Sequence, residues 1–187
     1  FPMNKGPITF KVKFQNETFQ LCKDITPEYP DLCEKINRKK FEHLIKGKTI
    51  IIAPYAYSSL AAIVPDSVWE KIVNNLLEMG YRIYTVGYGE GEKPIKNTER
   101  IQFTYIEAQS VLEYAGGFIA SRSGLCDIVH AARCRQLIIY GRNIRNEYAV
   151  DFFNMKRNFP DFSGKEFVFD DYEEKDFISS VIEYFKN

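Results

Sequence analysis

The sequence predicts an α/β fold, a doubly wound and mostly parallel Rossmann-like sheet, and three observations carry that expectation. Apolar runs of the buried-strand type alternate with amphipathic helix patterns five or six times after residue 47. The first run, TIIIA at residues 49–53, is continuously β-branched, as suits a parallel strand covered on both faces. Residues 116–141, GGFIASRSGLCDIVHAARCRQLIIYG, read as strand, tight loop, helix and strand, the unit of a right-handed parallel crossover.

The elements follow in order. Residues 9–14 (TFKVKF) alternate polar and apolar like a half-exposed strand, with 17–21 as a hairpin partner. A helix interrupted by Pro30 is expected over 26–36, and 38–46 is mostly basic and polar. Residues 1–46 therefore read as an N-terminal extension or the tail of a preceding domain, and 47–187 as the Rossmann-like domain. After the strand at 49–53, Ser67 with Glu70 fits a capping box for a helix whose stripe is Val68, Ile72, Val73, Leu76 and Leu77, stopped by Gly80. Strands are expected at 81–86 and 101–104, and Thr104 with Glu107 offers a second capping box. The central stretch supplies strands at 118–120 and 136–140 around a helix at 125–132. A helix over 145–158, a strand at 166–169 and a helix from Asp171 or Tyr172 to Phe185 complete the pattern, with Asp170 and Asp171 as its cap.

Composition excludes several classes. The 25 basic and 25 acidic residues cancel, leaving no electrostatic footprint for nucleic acid. No run of 18 apolar residues exists and no signal pattern opens the chain, so no transmembrane segment and a cytoplasmic location are expected. Cys22, Cys33, Cys126 and Cys134 form no C-x-x-C pair and stand in no metal-ligand spacing with His43 or His130, so no metal site is expected and the last two read as reduced core thiols. His130 reads as a satisfied helix histidine. No G-x-S-x-G, H-E-x-x-H or P-loop motif occurs, and the G-x-G-x-G at 87–91 is not the dinucleotide fingerprint, so no nicotinamide cofactor is expected.

Ligands of such a sheet bind beyond the carboxyl ends of its strands. Among the loops there, Ser121, Arg122, Ser123 and Gly124, with the backbone of Leu125 and Cys126, make the best anion site. Gly124 lets the chain approach a phosphate, the hydroxyls donate, Arg122 offers a guanidinium fork, and Asp127 sits in the first helical turn. Tyr55, Ser58 and Ser59 face the same edge and can hydrogen-bond a phosphate or sugar. Glu90 or Glu92 can accept ribose hydroxyls.

The run FIASRSGLCDIVHAARCRQLIIYG resembles the C-terminal, nucleotide-sugar-binding half of glycosyltransferases of the two-Rossmann GT-B architecture, bacterial heptosyltransferase-like enzymes in particular. In that family a strand ends in Asp-Thr-Gly-Leu, a helix rich in His and Ala follows, and the next strand ends in Tyr-Gly. Here Ser123-Gly124-Leu125 stands at Thr-Gly-Leu, Tyr140-Gly141 closes the following strand, and Arg122 occupies the place of the Asp. TIIIAPYAYSS and PDSVWEKIVNNLLEMGYRIYTVG resemble the family's first strand, phosphate-side loop, helix and second strand, so the likeness covers roughly residues 48–141.

The resemblance implies a donor domain for a nucleotide-diphosphate sugar, in a metal-independent enzyme of bacterial surface glycan synthesis that uses no cofactor. It implies that Phe103, Thr104 and Tyr105 grip the base, that Arg122 and the helix end stabilise the departing diphosphate, and that a separate N-terminal domain holds the acceptor. It identifies no catalytic base. The competing expectation is a nucleotide-binding or protein-interaction module of the same fold without chemistry of its own.

Overall fold

The computed structural model describes residues 8–14, 17–23, 35–57, 63–141 and 154–186, the first two stretches as backbone. Strands β1 (Ile8–Phe14) and β2 (Glu17–Lys23) pair antiparallel, as the alternating pattern predicts. The expected helix over 26–36 lies almost wholly outside the described residues.

The main body is a six-stranded parallel sheet. Its strands are β3 (Thr49–Ala53), β4 (Arg82–Val86), β5 (Glu99–Ile101), β6 (Gly116–Ser121), β7 (Arg135–Tyr140) and β8 (Lys165–Val168), in the order β5-β4-β3-β6-β7-β8. Helices α1 (Asp66–Glu78), α2 (Tyr105–Ala115), α3 (Gly124–Ile128), α4 (Met155–Asn158) and α5 (Glu174–Lys186) complete it. This is the doubly wound Rossmann-like fold that the alternation predicts.

The two faces of the sheet have separate cores. Alternate side chains of the central strands, Ile50, Ile52, Ile119 and Ile139, meet Trp69, Ile72 and Leu76 of α1 and Phe177, Val181 and Phe185 of α5. Their neighbours Ile51, Phe118 and Ile138 meet Val111 and Leu112 of α2 and Cys126 of α3 on the other face. Each fully buried side chain of this size contributes about 1.5–3 kcal/mol, so the continuous β-branched strands are what make a three-layer body stable. Phe41 and Leu44 enter the second core as well. Lys40 binds both carboxylate oxygens of Glu107 in α2, at 2.8 and 2.7 Å. Residues 38–46, expected as polar extension, are thus part of that layer.

Element ends depart from expectation where a local bond takes precedence. The carbonyl of Pro65 accepts the amides of Val68 and Trp69, so α1 starts at Asp66 and Ser67 lies inside its first turn rather than capping it. β5 stops at Ile101, because the Phe103 carbonyl accepts the Tyr88 hydroxyl at 2.6 Å and Thr104 is committed to the capping box with Glu107. α3 ends at Ile128 instead of running to residue 132, since turns closed by Val129 and Ala132 return the chain to β7. Of the helix expected over 145–158 residues 154–158 are described, and Met155–Asn158 form α4. Asp170 and Asp171 form a 3-10 turn, and α5 begins after it.

At the base of β6, Gly116 has φ +100°, and a Cβ there would stand 2.8 Å from the Gly47 Cα. Only glycine lets α2 turn into β6 against that backbone.

Candidate functional site

The first strand of the sheet, β3, lies beside the fourth, β6, in register from Thr49↔Gly116 to Ala53↔Ala120. From there the chain winds outward both ways, so this pair is the switch point of the sheet. The loop after β3 leads toward α1 on one face, whereas the loop after β6 leads into α3 on the other. Their divergence opens a crevice of about 350 Å³, lined by Tyr55, Tyr57, Val86, Tyr88, Glu92, Tyr105 and residues 123–125.

One wall is the turn from β6 into α3. Ser123 is extended at φ −150°, and its carbonyl accepts the amide of Cys126 at 3.0 Å. The amides of Gly124 and Leu125 donate to no group among the described residues. A Cβ added to Gly124 would meet nothing within 4 Å. This stretch therefore presents open N–H groups beside an unfilled space, which is what an anion or a polar ligand oxygen requires. With five residues, α3 adds little dipole of its own.

Arg122 holds this wall from behind. It is 7% exposed. Its Nη1 donates to the Ser123 carbonyl at 2.7 Å, and its Nη2 donates to the Asp127 carboxylate at 2.6 Å. Burial works against the guanidinium charge, and Asp127 more than offsets it, so the group stays firmly protonated. The structure thus corrects the expectation of a fork aimed at the ligand: Arg122 and Asp127 brace the loop. Ser121 is buried, and its Oγ has no hydrogen-bond partner among the described residues. Cys126 is buried below the wall, with its Sγ 3.6 Å from the Ser121 carbonyl and burial pushing its thiol up.

The facing wall is tyrosine-rich. The Tyr55 hydroxyl donates to the Lys93 carbonyl. The Tyr57 hydroxyl donates to Glu92 Oε1 at 3.1 Å, and Glu92 Oε2 accepts the amides of Tyr88 at 2.7 Å and Gly89 at 3.3 Å. The Tyr88 amide, then that of Gly89 and the Tyr57 hydroxyl, hold the Glu92 carboxyl below its ordinary range against its partial burial. Glu92 is the one charged residue lining the crevice among the described residues.

The crevice therefore gathers Tyr55, Tyr105, Ser123, Gly124 and Leu125 of the expected site residues. It does not gather Ser121, Arg122, Cys126 or Asp127. Phe103 is buried in the core, Thr104 caps α2, and Glu90 is exposed away from the lining, where Glu92 stands instead. Ser58 and Ser59 lie outside the described residues. Tyr57 and Tyr88 line the site without having been expected. Their signal was the flanking of the loops after β3 and β4 by exposed tyrosines, 89% exposed at Tyr57.

His130 is engaged elsewhere, its Nδ1 2.7 Å from the Asp127 carbonyl and its ring stacked 4.3 Å from Phe159. Among the described residues no three His, Cys, Asp or Glu side chains converge in a metal-binding group, and no helix is long and apolar enough to cross a membrane.

No protein-family model matches the chain, and no curated protein matches it. Solved structures do. The bacterial iron-containing dodecameric glycosyltransferase TibC of enterotoxigenic E. coli is 23% identical over 56% of this chain and 30% of its own, with a TM-score of 0.43. TibC as a dodecameric iron-containing heptosyltransferase in complex with ADP-D-beta-D-heptose is 18% identical over 71% of this chain and 34% of its own, with a TM-score of 0.45. E. coli heptosyltransferase WaaC with ADP-2-deoxy-2-fluoro heptose is 16% identical over 56% of this chain and 36% of its own, also at 0.45. The chain spans about a third of the length of each of these structures, and the likeness is one of α/β architecture.

Proposed function

We propose that the crevice binds a nucleotide-diphosphate sugar, and that this chain is the donor-binding domain of a metal-independent glycosyltransferase of bacterial surface glycan synthesis. The observation that supports this reading best is the wall at 123–125, whose open amides and unfilled Gly124 face the switch point of the sheet. In this reading the diphosphate accepts from the Gly124 and Leu125 amides and the Ser123 hydroxyl. The sugar or base lies against Tyr57, Tyr88 and Tyr105, whose rings combine an apolar face with a polar rim. The Arg122–Asp127 brace keeps the donors aimed, and preset N–H groups stabilise negative charge on the leaving diphosphate as it develops. An acceptor hydroxyl, presented by a second domain, attacks the anomeric carbon.

A second reading, a nucleotide-binding module without transfer, draws on one observation: Glu92, the sole carboxylate in the crevice among the described residues, is already held by three hydrogen bonds and kept ionised.

Thermal shift with a panel of nucleoside diphosphates and nucleotide sugars tests the site, since a ligand of the native state raises its melting temperature. Gly124→Val should leave the unliganded protein within about 0.5 kcal/mol, as its side chain meets open space. It should abolish the shift by filling the approach to two amides. A shift that survives Gly124→Val, or no shift with any compound, refutes the site. Binding without sugar transfer to any acceptor, with a second domain supplied, selects the second reading.

A further inference from the structure

A second concavity lies at the other edge of the sheet, where β7 and β8 begin. It is a groove of about 920 Å³ bounded by those strand starts, by α5 and by Asn75 of α1. Arg135 and Lys165, the first residues of β7 and β8, line it together with Lys186 near the end of α5. Glu183, its one carboxylate among the described residues, is 3.1 Å from Lys186. A hollow of about 490 Å³ shares Arg135 and Tyr184 with the groove and adds Arg133. Four cations thus line two neighbouring hollows that share Arg135 and Tyr184, on a chain whose 25 basic and 25 acidic residues cancel overall.

Three of them have no carboxylate partner among the described residues: Arg133, Arg135 and Lys165. Two are held in place by neutral groups. Arg135 Nη1 donates to the Phe185 carbonyl at 3.1 Å, and Lys165 Nζ sits 5.1 Å from the centre of the Tyr184 ring. These contacts fix the side chains without neutralising them. A guanidinium anchored through one donor presents the rest of its fork in a set direction. A concave surface of one sign concentrates its field into the depression.

We propose that this groove is a second binding site, separate from the crevice, for a phosphate ester carrying two or more negative charges. Several acceptor oxygens on one ligand can meet Arg133, Arg135 and Lys165 together, which a single carboxylate cannot. The hydroxyl of Ser180 lies in the same lining as a neutral donor.

The test uses the full chain carrying Gly124→Val, which closes the crevice to a diphosphate, titrates it with inorganic pyrophosphate by calorimetry and, separately, measures its co-flotation with phosphatidylcholine vesicles containing phosphatidylinositol 4-phosphate. Binding of at least one probe is expected, and it should weaken as salt rises, because the cations are solvent-facing. Arg133→Glu with Lys165→Glu should weaken it at least about tenfold, the equivalent of 1.4 kcal/mol. These side chains enter no ion pair among the described residues, and Arg133→Gln with Lys165→Gln repeats the test if reversal disturbs folding. Lys96→Glu on the exposed β4–β5 connection should leave the binding unchanged. Pyrophosphate binding without flotation identifies a free ester; flotation without pyrophosphate binding identifies a lipid headgroup. The proposal is overturned if neither probe binds, if binding survives the double variants, or if Lys96→Glu removes it equally.

Discussion

The Arg122–Asp127 brace can be measured apart from any ligand. Asp127→Ala removes the carboxylate 2.6 Å from a guanidinium that is only 8% accessible, while the Asp127 side chain is 40% accessible. Charge centres about 4 Å apart attract by about 4 kcal/mol at an effective dielectric of about 20. Water reaching Asp127 screens that attraction, and a reduction to roughly 2 kcal/mol is appropriate to a pair with one open side. Arg122→Met removes the buried charge together with its partner's task and forfeits the bond to the Ser123 carbonyl, so it should cost less, about 1 kcal/mol. Lys71→Ala, which breaks the exposed Lys71–Glu174 pair, should cost less than about 0.5 kcal/mol. Urea unfolding resolves the series, because with a slope of about 2.5 kcal/mol per molar the Asp127→Ala midpoint falls by about 0.8 M. Equal midpoints for Asp127→Ala and Lys71→Ala would refute the view that Arg122 is a buried brace. An Arg122→Met variant that unfolds far more easily than Asp127→Ala would refute the ranking of burial over pairing.

Three further outcomes follow from the same geometry. Gly116→Ala should cost at least about 2 kcal/mol, from a left-handed backbone and contact with Gly47; melting should fall by about 4–8 °C, and an unchanged melting temperature would contradict the close approach. The Glu107 carboxyl is held low by Lys40 first and the Thr104 amide next, and that of Glu92 by the Tyr88 amide. Both stabilise the fold fully above the free value of 4.5 and lose that contribution as pH falls through their depressed folded values. Stability should therefore decline with acid below about that point, and Glu107→Gln should flatten part of the decline in denaturant titrations across pH. Burial, aided by Glu113, pushes the Cys134 thiol up to about 12. Its thiolate fraction at pH 8 is then about one in ten thousand, so peptide mapping should find it unalkylated in the native protein and labelled in urea.

The layers were legible because both faces of the sheet are covered. The runs 50–53 and 118–120 are apolar throughout for that reason, and they fold as read. Phe41 and Leu44 were hidden by the charged residues around them, since two anchors separated by a turn produce no helix or strand period. The loop at 121–127 was legible as a turn into a helix and misleading in its charge. An arginine beside serine and glycine suggests an anion contact, but Asp127, five positions on, is carried by the helix to the guanidinium. Glu92 was weighed alongside Glu90, and what chooses between them is a tight turn that brings the Glu92 carboxylate back onto the amides of Tyr88 and Gly89. Such a choice depends on backbone direction, which residue type alone does not specify.

The pairing of β3 with β6 joins segments far apart in the sequence, whereas β3 with β4 and β6 with β7 are joined through nearby crossovers. Contacts between distant segments form late and open early, because the loop between them must first be ordered. The crevice straddles that seam, with Tyr55 and Glu92 contributed by one half-fold and Ser123 and Gly124 by the other. Whatever occupies it acts as a clasp between two cooperative units. Its binding energy opposes their partial separation, and slowed amide exchange along β3 and β6, ahead of the outer strands, is its signature.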